Sequence, residues 1–382
     1  MHTSFAKRQL PHSCRSVMAK CPANYPEFTE AMNKLERYAY TATPQRVLCG
    51  AGTARDVGAE LLSLERQRAV VISTPGQQAL GVRIHELLGN QGAGVLATAR
   101  VHVPTEVVEA GLDEARRMGA DSLIAVGGGS AIGLAKALAV QTGWPIVALP
   151  TTYAGSEATP IFGLTLAGIK RTGRDARALP NSVIYDTELS AALPKHVSVA
   201  SALNGTAHAM EALYASDRSP MTDALARHGL RLFASGLDAL STHEQSPEVR
   251  SQLSTAAWLC GHVLGQTQMG LHHKLCHVLG GRFDLPHAEL HALMLPRVLE
   301  LTAARRPELV DQMADAMGVA DPAYWCRGQL ADAGLPVSLT QLGIEAVDVG
   351  EVADLVMSQP YPHPFTVGRQ DLLQLLREAV GA

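Results

Sequence analysis

Six histidines stand at spacings that let their side chains meet: His208, His272, His273, His277, His287 and His291. Asn204 and His208 are four residues apart in a helical pattern running through Leu203, Ala207, Met210, Leu213 and Tyr214, so both project from one face. His273 and His277 repeat that step, as do His287 and His291. Such pairs on facing helices converge on one point, where a metal ion or a small anionic substrate would sit. A lone histidine is more often a hydrogen-bonded core or surface residue. Five of these six fall between His272 and His291, so that explanation is weak for the group. The metal alternative has one defect. Asn204 occupies the place of a natural carboxylate ligand, and a neutral amide oxygen holds a divalent cation less strongly. Three histidines suffice for zinc, so the spacing leaves both occupants open.

A second set of residues suits a phosphate. Leu123 to Val126 leads into Gly127, Gly128, Gly129 and Ser130, and a helical pattern follows through Ala131, Leu134, Ala135, Leu138 and Ala139. Backbone N–H groups without side chains at a helix start attract a pyrophosphate, although a tight turn alone would use the same glycines. The dinucleotide fingerprint itself is absent: Ile132 stands at its last glycine position, and the pair Gly50 and Gly52 is followed by Arg55. Pro150, Thr151, Thr152, Tyr153, Ala154, Gly155 and Ser156 follow a further strand pattern, and their hydroxyls suit a nucleotide crevice or an ordinary polar turn. Ser73 and Thr74 follow Val70 to Ile72 where an acid would hold a ribose 2'-hydroxyl and repel a 2'-phosphate, so charge excludes neither NADH nor NADPH.

These residues need elements to position them. From Arg46 to Leu149, short apolar runs (Arg46 to Cys49, Ala69 to Ser73, Gly94 to Ala97, Leu123 to Val126, Pro145 to Leu149) alternate with helical patterns, which predicts βαβ units and a parallel sheet. After about Thr187 the pattern is helical, broken by prolines. The expected organisation is a leader over 1–36, an α/β dinucleotide-binding domain over 37–187 and a helical catalytic domain over 188–382. The leader has Lys7, Arg8, Arg15 and Lys20 with no acid before Glu27, and is expected to be poorly ordered.

Composition closes off other classes. Of 382 residues, 47% are hydrophobic and 18% charged, which fits a globular protein and not a disordered or fibrous one. The formal charge of −4 gives no basic field for nucleic acid. Six scattered cysteines make no disulfide framework and suit a reducing cytoplasm. The longest weakly polar stretch, Ser122 to Ala135, is shorter than the roughly 20 residues of a membrane helix.

Taken together, the Gly127–Ser130 loop, the Pro150 to Glu157 pieces, Asn204 with His208, and His273 with His277 and His287 resemble the iron-containing alcohol dehydrogenase superfamily. Leu271 to Gly281, Tyr153, Lys170 to Asp175, Leu179 with Pro180, Ile184 to Asp186 and Ala209 to Ala215 resemble its maleylacetate reductase branch. The resemblance runs from about Tyr38 to the C-terminus. It implies the dehydroquinate synthase-like fold, an α/β nucleotide-binding domain followed by an all-α domain, with nicotinamide and substrate in the cleft between. Metal-dependent members carry Asp where Asn204 stands, with their other ligands at His208, His273 and His287, and commonly Asp where Gly133 stands. Both departures are shared by the maleylacetate reductase branch, which is regarded as metal-free.

The implied reaction is reduction of the carbon–carbon double bond of maleylacetate to 3-oxoadipate by NADH or NADPH in aromatic-compound degradation, by a cytoplasmic homodimer. Hydride arriving at the alkene carbon remote from the ketone leaves an enolate, which oriented donors such as Asn204 and neighbouring imidazoles can hold. His277 is the expected proton donor, with His273 as substitute; Lys274 is the expected cation for a substrate carboxylate, with a protonated histidine second and Lys170 or Arg171 behind them. Expected cofactor contacts are Ser73, Gly127, Gly128, Gly129, Ser130, Thr151, Thr152 and Ser156. The competing readings are a metal-dependent alcohol or polyol dehydrogenase and a non-catalytic nucleotide-binding protein.

Overall fold

The protein is represented by a computed structural model that describes residues 38–166, 169–242, 246–344 and 348–381. The leader expected over 1–36 lies outside the described residues. The described residues contain eight strands: β1 (Arg46–Cys49), β2 (Ala69–Ile72), β3 (Gly92–Leu96), β4 (Ser122–Gly127), β5 (Ile146–Pro150), β6 (Ile161–Leu166), β7 (Ile169–Arg174) and β8 (Ser182–Tyr185). Six of them form one parallel sheet in the order β3-β2-β4-β5-β8-β1. Every residue of β2, β4 and β5 is buried. Their continuous Val, Ile, Leu and Ala runs are what a strand covered on both faces requires.

Helices α1 (Val57–Ser63), α2 (Gln78–Leu88), α3 (Thr105–Arg117) and α4 (Gly129–Thr142) connect the strands. The chain passes from β2 outward to β3, then returns to the other side of β2 to form β4. The strand order therefore reverses between β2 and β4, which is where open α/β sheets bind ligands beyond the strands' carboxyl ends. The Gly127 loop leaves β4 at that point.

The pair β6 and β7 forms an antiparallel hairpin, in register from Ile161 opposite Arg174 to Leu166 opposite Ile169, that the sequence pattern did not predict. Gly163, Gly173, Lys170, Arg171 and Arg174 break the apolar alternation that reveals strands. Strand β8 was missed for a different reason: four residues between turns are too few to establish a period.

From Thr187 the described residues are helical: α5 (Thr187–Ser190), α6 (Lys195–Ala212), α7 (Pro220–Ser241), α8 (Pro247–Gln266), α9 (Leu271–Phe283), α10 (His287–Arg305), α11 (Pro307–Met317), α12 (Pro322–Asp332), α13 (Asp348–Met357) and α14 (Arg369–Val380). Helix α6 is the central one, with every residue from Ser198 to Ala212 buried. Its Ala- and Gly-rich sequence lets neighbours approach closely; a Cβ on Gly205 would lie 2.7 Å from the Phe233 ring. No helix among the described residues is long and apolar enough to cross a membrane.

Two glycines hold the helical part against the sheet. Gly155, at φ +79°, faces Gly261 of α8 so closely that a Cβ on Gly155 would lie 2.5 Å from the Ala257 carbonyl. Lys136 of α4 is buried and donates to the Ser156, Thr159 and Ile161 carbonyls, tying the loop after β5 to the helix after the glycine turn.

Candidate active site

The candidate nucleotide side is built from backbone. Gly127 ends β4 with φ +136°, a conformation that favours glycine, and α4 starts at Gly129, with open space where a Cβ would stand. A Cβ on Gly128 would lie 3.0 Å from Thr152, and the Thr151 N–H donates to the Gly127 carbonyl at 3.1 Å. The glycine turn and the threonine loop are thus one surface, with Ser130, Thr152 and Ser156 partly exposed and Thr151 buried. Gln77, which the sequence reading did not select, joins them by donating to the Thr151 hydroxyl at 3.1 Å. Its signal was its place just after β2, at the strand-order reversal, which only the fold discloses. The other glycine turn, at Gly50 and Gly52, is closed by its own protein: Asp186 accepts from the Gly52 and Ala54 N–H groups, both at 2.9 Å.

Ser73 does not stand on this surface. It is fully buried, its hydroxyl has no partner, and a Cβ on Gly81 would lie 2.9 Å from it. Thr74, the next residue, is the one partly exposed.

The histidines do gather. Ring centroids of His208 and His273 are 5.0 Å apart, those of His273 and His277 6.1 Å, those of His277 and His287 6.4 Å, and those of His287 and His291 4.2 Å. Helices α6, α9 and α10 supply them. Asn204, His208 and His273 are buried, His287 is partly exposed and His277 is exposed, so the group runs from a dry interior to solvent.

Glu211 organises the dry end. It lies on α6 three residues beyond His208, and its carboxylate meets His273 Nδ1 at 2.6 Å. It also accepts from the Gly270 and His272 N–H groups and from the Tyr214 hydroxyl. Burial raises its pKa, but hydrogen bonding and the charge of His273 outweigh that and leave it at about 2. Burial, together with neighbouring imidazoles, pushes His272 down to about 3 and His208 and His291 well below the ordinary histidine range. One carboxylate therefore stands against the His273 imidazole, and burial disfavours the charged forms of His208, His272 and His291 around that pair. His273 Nε2, His208 Nδ1 and the Asn204 amide oxygen are buried atoms without partners. Sequence reading missed Glu211 because a buried acid on an alanine-rich helix has no spacing signal of its own.

Lys274 departs from its expected place. Its ammonium donates to Gln359 at 2.9 Å, away from the histidines it separates in sequence. Arg171 is exposed on β7, and the side chain of Lys170 lies outside the described residues. His272 and His291 pair with each other behind the site, Nε2 to Nδ1 at 3.1 Å.

Residues 44–187 match the iron-containing alcohol dehydrogenase family and residues 198–380 the C-terminal part of the Fe-containing alcohol dehydrogenase family. A maleylacetate reductase of Burkholderia cepacia is 44% identical over 345 residues, which cover 90% of this chain and 98% of that protein. The chain belongs to the maleylacetate reductases of the iron-containing alcohol dehydrogenase superfamily. The crystal structure of the Agrobacterium tumefaciens maleylacetate reductase superimposes with a TM-score of 0.86 at 40% identity, covering 91% of this chain and 99% of that one. That of a maleylacetate reductase from Rhizobium sp. strain MTP-10005 gives 0.85, also at 40%, with 91% and 99% covered. A 1,3-propanediol oxidoreductase structure shares the fold at 24% identity, with a TM-score of 0.82. The α/β sheet domain followed by a helical domain is the fold of this superfamily.

The superfamily implies a dinucleotide and a metal. The crevice fits the dinucleotide: the glycine turn has open backbone at a helix start, faced by the threonine loop. The metal position fits less well. Asn204 brings no charge, and among the described residues the three histidine or cysteine ligand atoms lying within 4.8 Å of one another belong to His272, Cys276 and His291, not to His208, His273 and His287.

Proposed function

We propose that the protein reduces the carbon–carbon double bond of maleylacetate to give 3-oxoadipate, with NADH or NADPH as reductant and without a metal ion. The observation that carries the reading is the buried Glu211–His273 pair with its outward nitrogen unpartnered beside His208 and Asn204. When bound, the reduced nicotinamide supplies the hydride, which adds to the alkene carbon remote from the ketone. Charge then develops on the ketone oxygen, and the chain must hold it. His273 does so through Nε2–H, with the Glu211 carboxylate accepting at Nδ1 and fixing the ring. The Asn204 amide adds a neutral donor. Burial keeps water from competing for the oxygen, which strengthens each of these bonds.

His277 delivers the proton to the carbon next to the ketone. Its exposure supports this role, because a donor in contact with solvent is reloaded after each turnover, whereas His273 is enclosed and already committed to Glu211. The same proposal includes a homodimer working in the cytoplasm during aromatic-compound breakdown. Cys49, Cys260, Cys276 and Cys326 are free thiols, which supports a reducing compartment.

One observation favours the metal-dependent alternative. A histidine held at Nδ1 by a carboxylate with Nε2 free is also how metal-binding imidazoles are oriented. Purified protein incubated with maleylacetate is expected to oxidise one reduced cofactor per 3-oxoadipate formed and to leave simple alcohols untouched. Oxidation of alcohols with no reaction on maleylacetate would replace this reading with the dehydrogenase.

A further inference from the structure

We propose that Arg100 forms a subsite for the 2'-phosphate of NADPH, so that this chain selects NADPH over NADH. The inference rests on the dinucleotide reading above and names which of the two cofactors the crevice takes. The ribose end of a dinucleotide at a strand-order reversal lies beside the strand next to the glycine turn, here β2. An acid there would bind a 2'-hydroxyl and repel a 2'-phosphate. This chain has Ser73, Thr74 and Pro75 instead, and Ser73 is enclosed. The acid that makes NADH the better ligand is missing.

A cation takes its place from the neighbouring strand. The backbone after β3 runs directly alongside that after β2: the Ser73 N–H donates to the Leu96 carbonyl and the Ala99 N–H to the Ser73 carbonyl, each at 3.1 Å. Arg100 follows Ala99, one residue beyond the point where the two segments are bonded. It lines a cavity of about 460 Å³ together with Pro75, Ala97 and Thr98. Among the described residues its guanidinium has no hydrogen-bond or ion-pair partner, whereas Arg117 at the other end of the same cavity is paired with Glu114. Glu106 also lines the cavity and is the one group there that opposes an anion without a basic partner of its own. A guanidinium matches a phosphate bidentately, and an exposed arginine beside a ribose position with no acid is the arrangement that accepts a 2'-phosphate.

The test is a binding titration of the full chain, without substrate, against NADPH, NADH and 2',5'-ADP, for the native sequence, Arg100→Ala and Glu106→Gln. Native protein is expected to bind NADPH at least tenfold more tightly than NADH and to bind 2',5'-ADP. Arg100→Ala should remove most of that ratio, about tenfold or more for loss of a charge-assisted contact, while Glu106→Gln should increase it. Equal binding of NADH and NADPH, or a ratio that survives Arg100→Ala, would overturn the inference and leave the reductase reading intact. Binding of neither dinucleotide would overturn both. A circular dichroism spectrum of each variant separates loss of the subsite from loss of the fold.

Discussion

The two halves of the site are made differently. The proposed nucleotide crevice is backbone: a glycine turn at φ +136°, a helix start and a threonine loop that meets it through the Thr151 N–H. The histidine site is side chains, brought from α6, α9 and α10 and oriented by a buried carboxylate that accepts four hydrogen bonds. A backbone site tolerates change in most side chains around it but not a Cβ in the wrong place. A site hung on one buried charge concentrates its risk in that residue.

The largest effect is therefore expected at Glu211. Glu211→Ala leaves the Gly270 and His272 N–H groups and the Tyr214 hydroxyl without their acceptor and removes the carboxylate that orients His273. Turnover should fall by about a thousandfold, and unfolding free energy by about 3–5 kcal/mol, as for other broken buried pairs. Chemical denaturation and steady-state rates measure the two; a variant with native stability and turnover would show that the carboxylate does not organise the site.

His277→Ala tests the wet end of the same cluster. Loss of a proton donor should lower turnover by about a hundredfold, whereas removal of an exposed side chain should change stability by no more than about 0.5 kcal/mol. Equal losses in both quantities would move His277 from proton delivery to packing.

In the backbone half the matching change is Gly127→Ala. The new Cβ would collide with the Gln77 side-chain oxygen, and the residue would have to adopt a φ that L-residues avoid. The Michaelis constant for the cofactor should rise about tenfold, or about 1.4 kcal/mol, with turnover at saturation little changed. If turnover falls and the Michaelis constant stays, the glycine turn does not hold the cofactor.

A smaller effect, graded with pH, comes from the neutral imidazoles. His272 has its pKa depressed to about 3, and His208 and His291 are shifted the same way, mainly by burial. Below the ordinary histidine pKa of about 6.5 the unfolded chain binds protons that the folded one does not, so stability falls as pH drops. Each such group contributes up to about 1.4 kcal/mol per pH unit below that value. Urea midpoints at pH 7, 6 and 5 should decline, and less steeply in His291→Gln; a flat profile would contradict the neutral cluster.

How far the sequence could be read follows the same division. Glycine turns, threonine loops and i, i+4 histidines carry period and spacing, so β1, the start of α4 and the three histidine-bearing helices were visible in it. Glu211, Gln77 and the hairpin of β6 and β7 were not. Glu211 acts through a contact 62 residues away along the chain, and Gln77 through one 74 residues away. Lys274 was misplaced because adjacency to His273 says nothing about helix face: one residue further turns its ammonium toward Gln359. Ser73 is enclosed although its residue type and its place just after β2 suit a ribose contact, because burial is not written in residue type.

In the proposed reaction, hydrogen-bond donors with Glu211 behind them do the work of a cation. The most direct test is the rate of cofactor oxidation by maleylacetate before and after exhaustive chelation, with metal content measured on the same samples. Full activity in protein carrying far less than one equivalent of metal is the predicted result. Activity that disappears on chelation and returns with zinc or iron would contradict the account and make His208, His273 and His287 ligands.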